Sequence, residues 1–216
     1  MPGVADFELA AKKKSLHDSQ RETPRVKELR QDFQTQFVDT LGKFVKRLKF
    51  LDESGAHLGL TRLCGRAAPG QRIVEATPGY SGPHYTLVAT LGWQEVTAPW
   101  IFEGSMNSVT FEVYVRTQLL PTLHRGDILV LDNLSAHTGE AIRQLVEAKG
   151  ARLEFLPPYS PDFNPIELCW SKVKTALRVA KARTLDALVD AIAQALRSIS
   201  LTDIQNWFAH CGYVLS

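Results

Sequence analysis

A chain of 216 residues is long enough to bury one main core plus an appendage, and a formal net charge of +2 excludes polyanion binding by bulk charge. Any nucleic-acid contact must therefore come from a local patch. Cys64, Cys169 and Cys211 are odd in number and form no CxxC or Cys/His ligand set, which argues against a disulfide framework or structural zinc and suits a reducing cytosol.

The opening MPGVADFELAAKKK does not read as a signal peptide, and no apolar run is long enough for a membrane span. Residues 1–24 are polar, carry Lys12, Lys13, Lys14, Arg21 and Pro24, and are expected to be a solvated arm. From Arg25 to Gly42 the residues Val26, Leu29, Phe33, Phe37 and Leu41 recur at helical spacing, so residues 1–45 read as a basic arm and linker helix. A strand follows in RLKFLD (47–52), then a hairpin-like stretch over 59–79 and a further strand in YTLVATLGW (85–93). Residues 107–123 read as a helix. In DILVLDN (127–133) four consecutive apolar residues predict a central strand covered on both faces. A helix over 139–149, a short strand in RLEFL (152–156), a proline-rich loop and helices near 165–180, 184–198 and 202–209 complete an α/β pattern with a mixed sheet. There is no internal repeat, glycine-rich phosphate loop or GxSxG elbow.

Asp52 and Asp132 each close an apolar strand, which places a carboxylate at the sheet edge where ligands bind in open α/β folds. An aspartate after a strand is also an ordinary turn former. Glu167 stands in LPPYSPDFNPIELCW, three residues after Asn164, so Asn164, Pro165 and Glu167 compose a helix-capping box as readily as a functional site. Helical geometry puts Ser171, Lys174, Arg178 and Lys181 on the face of Glu167, with Ile166, Trp170, Val173 and Leu177 on another. The basic stripe suits phosphates, and equally a solvated face. Three carboxylates brought together repel one another unless cations neutralise them, which implies a divalent metal, Mg²⁺ above all. Two ions about 4 Å apart would activate the attacking oxygen and stabilise the leaving one.

The segments FLDESG (50–55), VLDNLSAH (130–137) and LPPYSPDFNPIELCWSKVK (156–174) together resemble the DDE transposases of the insertion sequence 630 family, relatives of mariner, over about Lys12 to Arg197. The 34 residues between Asp132 and Glu167 match the family's spacing of second and third acids. The resemblance implies a ribonuclease H-like domain over 46–216 with a mixed five-stranded sheet flanked by helices. In it Asp52, Asp132 and Glu167 are the catalytic acids and hold Mg²⁺ or Mn²⁺. It further implies cleavage of transposon ends and strand transfer into target DNA, commonly at a TA dinucleotide, by a homodimer in synapsis in the bacterial cytoplasm, nucleoid-associated when on DNA. Asn133 and His137 match the DN…H motif and, with Lys174, Arg178 and Lys181, are candidate DNA contacts; each of the first two equally suits a turn-stabilising role. Asp162 is a rival third acid with the wrong spacing.

Members of that family carry a helix-turn-helix DNA-binding module ahead of the catalytic part, whereas a basic arm and one helix precede Asp52 here. A separately encoded helix-turn-helix half is therefore an expected partner. The alternative is a catalytically silent fragment that acts as an assembly or regulatory partner of full-length transposase.

Overall fold

The structure, a computed structural model, describes residues 19–38, 42–79, 82–132 and 139–214. Helix α1, Pro24–Asp32, starts on a proline whose missing N–H costs nothing at a helix start, and continues into a wider turn over Phe33–Val38. Strands β1 (Leu48–Ala56), β2 (Tyr85–Gly92) and β3 (Val96–Glu103) form an antiparallel meander. Helix α2 (Ser108–Tyr114) is capped by the Asn107 side chain, which accepts from the Thr110 N–H at 2.9 Å, and relaxes into irregular turns through Thr122. Strand β4 (Ile128–Leu131), helix α3 (Glu140–Ala148) and strand β5 (Arg152–Phe155) follow, and helices α4 (Ile166–Ala180), α5 (Leu185–Arg197) and α6 (Leu201–His210) close the chain.

The sheet order is β3-β2-β1-β4-β5, with β1/β4 and β4/β5 parallel and the rest antiparallel. All four residues of β4 are buried because both faces are covered by helices, as the apolar run ILVL predicts; β1, however, is the middle strand. One core lies beneath α4, α5 and α6 and includes Phe50, Val130, Trp170 and Phe208. The other lies beneath α2 and α3 and includes Leu51, Leu129, Leu131 and Phe111. On the first side α4 buries Ile166, Cys169, Trp170, Val173 and Leu177, the stripe its spacing predicts.

Two elements differ from their sequence expectations. No strand forms over 59–79, so the hairpin expected there is absent; its Gly and Pro punctuation marks a long irregular connection between β1 and β2. Strand β3 (Val96–Glu103) falls in a stretch for which the sequence carried no assignment, and it accommodates Pro99. The proline is tolerated on an edge strand, next to Ala98 at a positive φ of 52° and a register shift opposite Val88/Thr90.

Candidate active site

Leu48 pairs with Ile128 and Phe50 with Val130 in the parallel ladder of β1 and β4. Side chains alternate along a strand, so positions 48, 50 and 52 share one face, as do 128, 130 and 132. Leu48, Phe50, Ile128 and Val130 all lie in the core beneath α4, whereas Leu51, Leu129 and Leu131 lie in the other. Asp52 and Asp132 thus emerge side by side on the α4 face, one step beyond the last apolar pair. Asp132 directly follows β4, but β1 runs on past Asp52 to Ala56, paired only with β2. Asp52 marks the point where β1 loses its parallel neighbour and the sheet opens. Alternation sends Glu53 to the face of Leu51.

Glu167 is the second residue of α4, whose N-terminus carries no side-chain cap. The capping box is therefore not formed. The Asn164 carbonyl accepts the Glu167 N–H at 3.1 Å, while the Asn164 side chain turns to the sheet and its Nδ2 donates to Asp52 Oδ2 at 3.4 Å. Asp52 Oδ1 accepts the Glu53 N–H at 2.8 Å. Asp52, Asp132, Asn164 and Glu167 line one cavity of about 450 Å³, walled on its far side by the loop from Leu156 to Pro161.

The electrostatics follow from this enclosure. Burial pushes the Asp52 carboxyl up to about 7, and the charges of Glu167 and Asp132 push the same way against the Glu53 N–H bond. Glu167 is also raised, by partial burial and by Asp132, while the Lys174 ammonium opposes both. Among the described residues no three acidic, histidine or cysteine side chains stand close enough together to hold an ion.

The wall loop is fixed from two sides. Arg30 of α1 donates to both carboxylate oxygens of Asp162 at 3.1 and 2.7 Å and to Ser160 Oγ at 2.6 Å, and lies 4.6 Å over the Phe163 ring. Arg21 reaches Asp162 at 3.0 Å, and the Tyr159 hydroxyl donates to Gln20. Gln20, Arg21 and Arg30 thus tie this segment to the loop, while most of its other residues are exposed. From the other side the Tyr213 hydroxyl donates to the Phe163 carbonyl at 2.8 Å, and its ring packs 5.0 Å from Phe50 beneath Asp52. Tyr159 takes a positive φ of 55°, a conformation L residues adopt at a cost of about 1–2 kcal/mol and which these contacts sustain.

The rival acid Asp162 is absent from the cavity wall. Burial would raise its pKa, but the hydrogen bonds and charge of Arg30, with the charge of Arg21, hold it below the usual carboxylate range. Lys174 and Arg178 are half-buried along the Glu167 face; Lys181 ends α4 at a positive φ of 50° and pairs with Glu75. Asn133 and His137 lie outside the described residues. Sequence reasoning overlooked the side chain of Asn164 as a cavity residue and the Arg30–Asp162 contact.

A mixed sheet in this order, with acids from β1, from just after β4 and from α4 converging on one cavity, defines a ribonuclease H-like domain. Residues 47–189 match the family described as DDE superfamily endonuclease, and the chain belongs to that family. Its fold is similar to the Mos1 chain in the crystal structure of the Mos1 mariner paired end complex with Mn, at a TM-score of 0.74 and 17% identity over 95% of this chain and 65% of that one. It is likewise similar to the crystal structure of the catalytic domain of Mos1 mariner transposase, at a TM-score of 0.62 and 15% identity over 92% and 91% of the two chains. The Transposable element Tc1 transposase of Caenorhabditis elegans is 30% identical over 94 residues, which are 44% of this chain and 34% of that protein. The chain thus spans about a third of the length of that curated relative.

Proposed function

We propose that the chain is the catalytic part of a DNA transposase, residues 46–216 forming the catalytic domain and 1–45 the arm and linker helix. It would cut transposon ends and join them to target DNA, with Asp52, Asp132 and Glu167 as its catalytic carboxylates. The observation that carries the reading is the convergence of these three acids, from three separate elements, on one cavity where Asp52 is pushed up to about 7.

The donor set fits a divalent cation. Hard carboxylate oxygens, an excess of negative charge and burial are what Mg²⁺ or Mn²⁺ needs, and a Mos1 paired end complex contains Mn. Asp52, Asp132 and Glu167 would hold the metal, in one or two ions. Bound there, it would activate the attacking oxygen and stabilise the leaving oxygen at a phosphodiester. The chain's own residues do the placing. The Glu53 N–H and the Asn164 amide orient Asp52, while the start of α4 presents Glu167 with its helix dipole favouring an anion. The doubly anchored loop keeps the far wall of the cavity from collapsing inward. Lys174 and Arg178, with Asn133, His137 and Lys181, are the proposed contacts to DNA phosphates. Transposon ends, a TA target, a homodimer in synapsis and a separately encoded helix-turn-helix half are the partners this reading entails. Among the described residues no helix is long and apolar enough to cross a membrane.

The test is cleavage and strand transfer on transposon-end DNA with Mg²⁺ or Mn²⁺, the DNA-binding half being supplied. Asp52→Asn, Asp132→Asn and Glu167→Gln should each abolish both steps. Metal-dependent activity that survives all three substitutions would sink the assignment.

A further inference from the structure

Asn164 is only 4% exposed, yet the wall of the acid cavity includes it. Its side-chain Nδ2 reaches Asp52 Oδ2, 112 residues earlier in the chain, while its main-chain carbonyl holds the Glu167 N–H. One residue therefore spans from the strand that carries the first acid to the first turn of the helix that carries the third. Its remaining polar atom, Oδ1, is buried with no hydrogen-bond partner among the described residues. Leaving such an atom unpaired costs about 1–3 kcal/mol, so an apolar side chain would suit this position better if packing were all it did. Helix capping does not explain it either, since α4 has no side-chain cap. What the amide does is engage Asp52. With Oδ1 of that carboxylate tied to the Glu53 N–H and Oδ2 to the amide, its plane is set, and lone pairs remain on both oxygens.

We propose that Asn164 is a positioning residue that fixes the Asp52 carboxylate relative to the start of α4, so that Asp52 and Glu167 are presented to one divalent cation in a set geometry. This rests on the reading of the three acids as metal ligands. Partners that orient a ligand typically change metal affinity by about 10–100-fold when removed. Toward the ionised Asp52 carboxylate the amide must present Nδ2, since turning Oδ1 to it would set oxygen against oxygen.

The experiment is titration of the full chain with Mn²⁺, followed by electron paramagnetic resonance of the free ion, without DNA. Asn164→Ala should weaken Mn²⁺ binding by about 10-fold or more, and Asn164→Ser, which keeps a small donor, should recover part of that loss. Melts in chelator report the fold separately, and Asn164→Ser decides the matter if the alanine variant does not fold. Asp52→Asn is the control on the underlying reading. If Asp52→Asn abolishes binding while both Asn164 variants bind as wild type, the positioning role is overturned and the site stands. If Asp52→Asn binds as wild type, the site itself is wrong.

Discussion

Replacing Asp52 by asparagine should stabilise the metal-free protein at neutral pH while destroying its function. Burial and the neighbouring acids lift Asp52 from 3.8 to about 7 in the folded state. Between those values the native chain holds a proton that the unfolded chain has released. Stability contributed by this group is therefore full below about pH 4, falls as pH rises through the window and levels off above 7. A rise from 3.8 to about 7 corresponds to about 4 kcal/mol of destabilisation at pH 8. Asparagine is isosteric and does not ionise, but disturbs the 3.4 Å contact with the Asn164 amide, which gives back about 1 kcal/mol. The net gain of about 3 kcal/mol translates, for a chain of this size, to a Tm higher by about 6–12 °C. Thermal melts of both proteins in chelator at pH 5 and pH 8 measure it: Asp52→Asn should melt well above wild type at pH 8 and close to it at pH 5. A variant that melts at or below wild type at pH 8 would refute the claim that Asp52 is held ionised against its surroundings.

Other outcomes follow from the same geometry. Millimolar Mg²⁺ at pH 8 should raise the Tm of wild type and leave that of Asp52→Asn unchanged, because an ion that binds only the folded state stabilises it by mass action. Arg30→Ala removes the fork to Asp162 and the contact with Phe163; with Asp162 partly exposed the loss should be about 1–2 kcal/mol, and hydrogen exchange over 157–164 should accelerate. Lys174→Gln and Arg178→Gln should weaken binding to DNA of every sequence and make the log–log salt slope shallower by about 0.9 per lost phosphate contact. Lys181→Gln should do less, since that ammonium already pairs with Glu75. An unchanged slope for Lys174→Gln and Arg178→Gln would return the stripe to a solvated surface.

That Asp52, Asp132 and Glu167 line one cavity was foreshadowed because each stands at a junction that local chemistry marks: an apolar strand running into an aspartate, twice, and a helix start at a proline. The parity of positions 48, 50, 52 and 128, 130, 132 was also in the sequence, but the register that sets Phe50 beside Val130 was not, since it is a property of two strands. Arg30 and Asp162 lie 132 residues apart, and neither bears a local signal of the other. Asn164 was hidden differently. Asn-Pro-x-Glu is so good a capping sequence that a second use of the same side chain, toward the sheet, had no separate mark. Strand β3 had no assignment in the sequence; it holds Pro99, which is tolerated because the strand lies at an edge. The stretch over 59–79 shows the converse, where turn-rich punctuation suggested a hairpin and no strand forms.

The central claim, that Asp52, Asp132 and Glu167 form one metal site, is tested most directly by a crystal structure of the chain soaked in Mn²⁺ with data collected for anomalous scattering. The account predicts an anomalous peak in the cavity bounded by the three carboxylates, with oxygens of all three about 2.1 Å from manganese or bridged to it by water. A well-occupied manganese elsewhere, with that cavity empty and the three carboxylates turned apart, would contradict it.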